Sequence, residues 1–228
     1  MYKNEWMTAF YGYEWINIES ADEIKYTDKD KKLYEWRIPA DNFEEIIIAQ
    51  SADFKLVETF IEFSSKVKPN EDTYHSIRFY ESNDLEYIKS LNADVMCQSN
   101  GFRTRLNNLN YFDPADCTRY YNSAIVNYIN ELTVKTCVAE LEGEIVGYYM
   151  LKQIEGNIYK GLMTGVLPKA RGAFLQYKMQ QFLINHIGHP ITLINTTQLS
   201  NMAVIKNHIR SKRNLSKIEH IFYKKVGF

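Results

Sequence analysis

The period of the apolar positions changes twice between Leu33 and Phe63. Leu33–Ile38 is a short apolar run that predicts a strand. Pro39 follows, and Asp41, Glu44 and Glu45 then sit where acidic groups favour the start of a helix. Ile46, Ile47 and Ile48 form its buried part, with a strand as the competing reading of the same triplet. From Phe54 to Phe63 polar and apolar residues alternate, as in a half-exposed strand. The polar stretch "KPNEDT" (Lys68–Thr73) has no large apolar residue and predicts a domain boundary, giving units 1–70 and 71–228.

The second unit has a longer pattern. Ser76–Glu81 predicts a strand, and Ser82 or Asn83 caps a helix running through Leu91. The polar segment "CQSNGFRTRLNNLNYFDP" reads as a long loop, and loops of this length often carry function. Pro114 opens a helix to about Leu132. Three strands follow, turning at Glu142-Gly143 and at Glu155-Gly156-Asn157. A helix is expected from about Gly172 to His186, then a strand in "PITLINTTQ", a helix in "NMAVIKNHIRS" and a last strand in "KIEHIFYKKV". The order from Ser76 is β-α-α-β-β-β-α-β-α-β, an α/β (α+β) arrangement.

Composition narrows the chemistry. The 228 residues carry 27 basic and 28 acidic side chains, a net charge of -1. A nucleic-acid binder carries a basic excess, so nucleic acid is not an expected partner. Cys97, Cys117 and Cys137 recur at a spacing of twenty residues, which matches no metal-ligand pattern. The expectation is no metal, and reduced thiols acting as small buried hydrophobes in a cytoplasmic protein. "MYKNEWMTAFYGYEW" lacks the charge and apolar pattern of a secretion signal, and no apolar run spans a bilayer.

One junction has the makings of an anion site. In "TGVLPKARGAFLQYKMQQFLI" a strand runs into a helix whose first amides face outward, with Lys169 and Arg171 beside it. Gly172 lets the backbone approach a ligand closely. By itself the segment reads equally as an ordinary strand-to-helix loop.

The order of elements decides between them. A three-strand meander, Val-x-Pro-x-x-Arg-Gly, an amphipathic helix, a strand and a helix opened by Asn together resemble the GNAT superfamily of acyl-CoA-dependent N-acyltransferases. The resemblance covers about Ser76–Lys224, with "GVLPKARGAF" at the coenzyme A pyrophosphate motif and "TTQLSNMAVIKNHI" at the next family segment. Over about 220 residues the chain is similar to the group of dTDP-amino-sugar acetyltransferases. "AFYG" (Ala9–Gly12), "QSNGFRT" (Gln98–Thr104), "RYYNSAIVNYI" and Thr197, Gln198 and Asn201 carry that similarity.

The resemblance implies a GNAT fold, a mixed and mostly antiparallel sheet flanked by helices, with a smaller N-terminal α/β domain serving the acceptor site or dimerisation. It implies direct acyl transfer from acyl-CoA, acetyl-CoA or 3-hydroxybutyryl-CoA, to the amine of a dTDP-linked amino-dideoxy sugar. Such a product supplies surface polysaccharide assembly, and the group suggests a homodimer. A GNAT enzyme for another amine and a catalytically silent acyl-CoA-binding domain are the competing readings. Met163, Thr164, Gly165, Val166, Lys169, Arg171, Gly172, Ala173, Phe174 and Asn201 are the implied coenzyme contacts. Gly165 is expected to permit a bulge that opens a wedge, and Asn201 either caps its helix or bonds the pantetheine amide.

This chain departs from the pattern twice. Phe174 and Gln176 stand where the family has small residues, and side chains there are expected to crowd the phosphates. His208 stands where the group has a tyrosine that protonates the leaving thiolate. His208 is then the expected general acid, titrating near pH 6.5, with Tyr177 and Tyr223 behind it. On the acceptor side, Arg103 and Arg105 suit a diphosphate and Gln98 and Asn100 suit sugar hydroxyls. Tyr120 and Tyr121, or Phe10 or Tyr11, are expected to stack on the base.

Overall fold

The computed structural model describes residues 1–24, 30–98, 104–106 and 111–228, without the side chains of Gln98 and Pro114. In chain order the elements are β1 (Tyr2–Lys3), α1 (Glu5–Tyr11), β2 (Glu14–Ile18), β3 (Lys32–Pro39), α2 (Phe43–Ser51), β4 (Lys55–Val67) and β5 (Ile77–Phe79). Next come α3 (Leu85–Asn92), a π-helical turn (Ala93–Gln98), α4 (Pro114–Ile129), β6 (Val134–Leu141), β7 (Glu144–Glu155) and β8 (Ile158–Val166). The chain ends with α5 (Leu175–Ile187), β9 (Ile191–Gln198), α6 (Met202–Arg210) and β10 (Asn214–Val226). Two compact units form: Met1–Ile61 with Lys217–Phe228, and Glu62–Ser216.

In the first unit β2 pairs parallel with β3, and β3 pairs antiparallel with β10 over Lys32–Pro39 and Glu219–Val226. Trp36, Ile38, Phe54 and Phe222 fill its core. Each such side chain contributes on the order of 1.5–3 kcal/mol by leaving water. The aromatic-aromatic-Gly segment proves to be a helix end. Asn4 caps the start of α1, and Gly12 closes it at φ 75°, its N–H donating to the Thr8 carbonyl at 2.9 Å. Only glycine adopts that left-handed conformation without strain.

In the second unit β5, β6, β7 and β8 form an antiparallel run, and β9 joins β8 in parallel. Successive side chains of β7 point to opposite faces. Tyr148 and Met150 pack with Ile88, Leu91 and Ile125 of α3 and α4. Tyr149 and Leu151 pack with Met179, Leu183 and Ile184 of α5. Both faces of this sheet are covered, so its strands read as apolar on both sides.

Three boundaries differ from the sequence expectation. The segment Lys68–Thr73 lies inside the second unit, tied to α5: Gln181 donates to the Lys68 carbonyl at 2.9 Å and the Asn70 N–H to Asn185 at 2.9 Å. The first unit also recruits the end of the chain, because β10 returns to β3. At the start of α3 neither Ser82 nor Asn83 is the cap. Asp84 is, and a 3-10 turn Ser82–Asp84 leads into α3, opened by a reciprocal capping box of Glu81 and Asp84, with Arg78 holding Asp84 through bonds of 2.7 and 2.9 Å. Those bonds from Arg78 keep the Asp84 carboxyl below the usual range.

Candidate active site

The site begins with a pairing that stops. β8 and β9 pair only over Ile158–Gly161 and Thr192–Asn195. β8 then continues to Val166 and β9 to Gln198, unpaired with each other among the described residues. On its other edge β8 stays paired with β7 up to Val166. Backbone hydrogen-bonding groups of β8 therefore face a gap beyond Gly161.

A bulge accompanies the parting. Met150 pairs with Met163, but Leu151 pairs with Gly161, so Leu162 is one residue too many. It turns Leu162 and Met163 towards the same cluster under α3 and α4. The bulge was expected at Gly165, which instead pairs in register with Tyr148. Gly165 has a packing reason. A Cβ there would lie 2.7 Å from Leu91 Cδ2 and 2.8 Å from Tyr148 Cε1. Thr164 is anchored by its hydroxyl, which donates to the Tyr148 carbonyl at 3.0 Å, and Val166 packs on the α5 side.

Gly161 sits at the last paired position and was not singled out from sequence. A Cβ at Gly161 would lie 2.1 Å from Tyr149 Oη and 2.3 Å from Asn195 Oδ1. Those two atoms are hydrogen-bonded across the glycine at 2.7 Å. A lone Gly in a strand pattern was the available signal.

At the far end of β8 the chain makes a tight turn. Pro168–Ala170 form a 3-10 turn, and Arg171 Nε donates back to the Val166 carbonyl at 3.2 Å. Gly172 is left-handed at φ 90° and Phe174 at φ 58°, so two left-handed residues bring the chain into α5. Phe174 stands at the N-cap and offers no side-chain acceptor to the first amides of α5. A helix start left open in this way, beside Arg171, suits an anionic group. Arg171, Gly172 and Ala173 are exposed there. Lys169 is paired with Glu144, also on the surface.

The expected crowding by Gln176 does not occur. Gln176 is buried against α6, where its Oε1 accepts from Asn207 Nδ2 at 3.2 Å. The Phe174 ring leans on Tyr177, centroids 5.5 Å apart. Asn201 caps α6, its Oδ1 accepting from the Val204 N–H at 3.4 Å.

His208 lies on the last turn of α6 and is buried. Its ring tilts over Phe63 at 4.7 Å, and the Arg213 N–H donates to its carbonyl at 2.9 Å. Burial, and then the Arg213 charge, pull the imidazole down to about 4. The expected titration near pH 6.5 is thus corrected: at neutral pH His208 is an uncharged ring with one donor and one acceptor nitrogen. Tyr223 belongs to the first unit, fully buried with its ring edge-on to Trp15 at 5.5 Å.

The acceptor residues divide between the units. Phe10 and Tyr11 belong to the first, where Phe10 stacks on Trp6 and Tyr11 on Trp15. Tyr121 is buried in α4, and burial pushes its phenol up, so it packs rather than presenting a face for a base. Tyr120 is half-buried and meets Tyr121 edge-on at 5.2 Å. Arg105 is half-buried, and its charge acts on Tyr121. Asn100 and Arg103 lie outside the described residues, as does the Gln98 side chain. Cys97 and Cys117, twenty residues apart in sequence, are brought into thiol–thiol contact, and the bond from Cys117 draws the Cys97 thiol down. Among the described residues no group of His, Cys, Asp or Glu could hold a metal ion, and no helix is long and apolar enough to cross a membrane.

No family model matches the chain. A dTDP-fucosamine acetyltransferase of Escherichia coli O6:H1 is 23% identical over 227 residues, 96% of this chain and 95% of that protein. Among solved structures, a GCN5-related N-acetyltransferase from Sphaerobacter thermophilus superposes with TM-score 0.60 at 10% identity over 86% of this chain. A GNAT-family acetyltransferase from Colwellia psychrerythraea superposes with TM-score 0.53 at 13% identity, also over 86%. The aligned part spans 61% and 65% of those two proteins. The chain thus has a GNAT-type fold and is similar to an acetyltransferase along nearly its whole length.

Proposed function

We propose that the protein transfers an acyl group from acyl-CoA to the amine of a dTDP-linked amino-dideoxy sugar. The parting of β8 from β9, running into the open start of α5, is the observation that carries the transfer. Similarity to a dTDP-fucosamine acetyltransferase over 96% of the chain supports the sugar acceptor. The co-substrate supplies an activated thioester.

The chain's own residues have three tasks. Arg171 and the first amides of α5 bind the pyrophosphate, the helix dipole adding to the Arg charge. Backbone N–H groups of β8 beyond Gly161 align the pantetheine arm and polarise the thioester carbonyl. The amine must attack uncharged, and it loses one proton while the departing thiolate gains one. A neutral His208, accepting at one nitrogen and donating at the other, relays that proton without an ionised resting state. Arg105 and Tyr120 remain the acceptor-side assignments. The product serves surface polysaccharide assembly, and the protein works as a cytoplasmic homodimer.

Calorimetric titration with acetyl-CoA, paired with thiol release on a panel of dTDP-amino sugars, tests this. Binding and acceptor-dependent release are expected. Binding without release on any acceptor would identify a silent acyl-CoA-binding domain. Absence of binding to every acyl-CoA would sink the coenzyme reading.

A further inference from the structure

The fold separates three cysteines that look equivalent in the chain. Cys137 lies in β6, 0% exposed, on the sheet face covered by α5. Its thiol donates to the Met179 carbonyl at 3.6 Å, and burial pushes it up. It is the small buried hydrophobe that the sequence suggests, protonated and inert.

The other two meet where the π-helical turn after α3 packs against α4. Cys97 stands in that turn and Cys117 near the start of α4, and their thiols are hydrogen-bonded to each other. Thr118 bonds Cys97 and the buried Thr104 bonds Cys117 through their side chains, so the pair is held from both sides. The bond from Cys117, helped by Thr118, favours the Cys97 thiolate against the opposing effect of burial. Cys117 is 1% exposed, and its bond to Cys97, then burial, push its own thiol up. Cys97 is only half-buried. One sulfur is therefore ionisable and reachable, and the other is shielded behind it. That is the division of work between an attacking and a resolving thiol. The turn also reaches further: its Val95 packs in one cluster with Leu162 and Met163 of the β8 bulge. Turns of this kind are rare and are frequent at functional sites.

We propose that Cys97 and Cys117 are a reversible dithiol–disulfide pair, a modification site for small disulfides whose closure pins the π-helical turn to α4. The Cys97 thiolate attacks one sulfur of the small disulfide, forming a mixed disulfide and releasing one small thiolate. Cys117 then attacks Cys97 Sγ, closing the protein disulfide and releasing the second small thiolate. The protons lost by Cys97 and Cys117 end on the two released thiols, and two electrons pass from the protein sulfurs to the small disulfide. A disulfide sets its sulfurs about 2.05 Å apart, so two thiols already in contact close by a small movement. In a reducing compartment such a pair is a transient sensor, not a permanent staple. This goes beyond the acyl-transfer reading and does not depend on it.

Incubation of the reduced full chain with glutathione disulfide, followed by alkylation and peptide mapping, tests this. The Cys97–Cys117 disulfide should form roughly 100-fold faster than any modification of Cys137, and dithiothreitol should reverse it. Cys97→Ser should leave Cys117 unreacted, and Cys117→Ser should stop at a mixed disulfide on Cys97. Closure should slow amide exchange over Ala93–Gln98 about tenfold. The proposal falls if the native chain keeps all three thiols, if the link appears only in denaturant, or if the wild type stops at the mixed disulfide. Unchanged amide exchange in the closed form would overturn the pinning of the turn. The wild-type peptide map decides the question even where a variant fails to fold. Absence of acyl-CoA binding, which would sink the coenzyme reading, leaves this result untouched.

Discussion

The two edges of β8 are held differently. Its β7 edge is paired from Ile158 to Val166, while its β9 edge is released after Gly161. The β7 edge closes a core: Tyr148 and Met150 under α3, Tyr149 and Leu151 under α5. On the β9 edge the ladder stops, among the described residues, at a rung where Tyr149 Oη donates to Asn195 Oδ1. A sheet gains stability by completing its ladders, so an interrupted ladder inside a covered sheet is a deliberate feature. The gap is made by omitting pairing, and at its corner Gly161 leaves room for the Tyr149–Asn195 bond.

Gly161→Ala breaks this contrast most directly. The new Cβ meets two atoms locked to each other by a hydrogen bond, so neither can give way. Overpacking and the lost buried bond together should cost about 3 kcal/mol or more, read as a lower urea midpoint with unchanged slope. A midpoint within error of wild type would show that the corner is looser than described.

His208 gives the next effects. His208→Asn should lower turnover on the order of 100-fold while changing coenzyme affinity by less than about threefold. Equal turnover would remove His208 from the mechanism. The same residue makes the fold acid-sensitive. Its native pKa of about 4 lies below the ordinary 6.5, so the unfolded chain binds the extra proton between those values. Stability is therefore full above about pH 6.5 and falls as pH drops towards 4, by about 3 kcal/mol for a shift of that size. Denaturation midpoints from pH 7 to pH 4 should fall less steeply in His208→Asn.

The smallest effects separate two cations on one loop. Arg171 is tied to the end of β8, whereas Lys169 pairs with Glu144 on the surface. Arg171→Ala should weaken coenzyme A binding about tenfold, and less at high salt. Lys169→Ala should change it by less than about twofold, since a solvated ion pair holds little. Equal losses from both would mean that net charge, not placement, serves the phosphate.

Much of this was legible in the chain. Alternation over Phe54–Phe63, the Glu142-Gly143 turn and the Asn before Met202 marked elements that the fold contains. The Arg171-Gly172 junction was legible because few residue types tolerate such a turn. The first helix and β2 were not read, since Glu5–Tyr11 is only seven residues long and its apolar positions are mostly aromatic. Gly165 and Gly161 look alike in sequence. Which one stands at the parting depends on the register of β8 against β7 and β9, a long-range property.

The sequence by itself determined the order of elements from Ser76 onward, the turns and the junction that suits an anion, because these follow from local period and local backbone preference. Only the tertiary structure decided where β8 leaves β9, that Gln176 turns to α6, and that Arg213 sits beside His208 and lowers its pKa. Burial and the absence of a partner are properties of what surrounds a residue, and the chain brings those surroundings from far along its length.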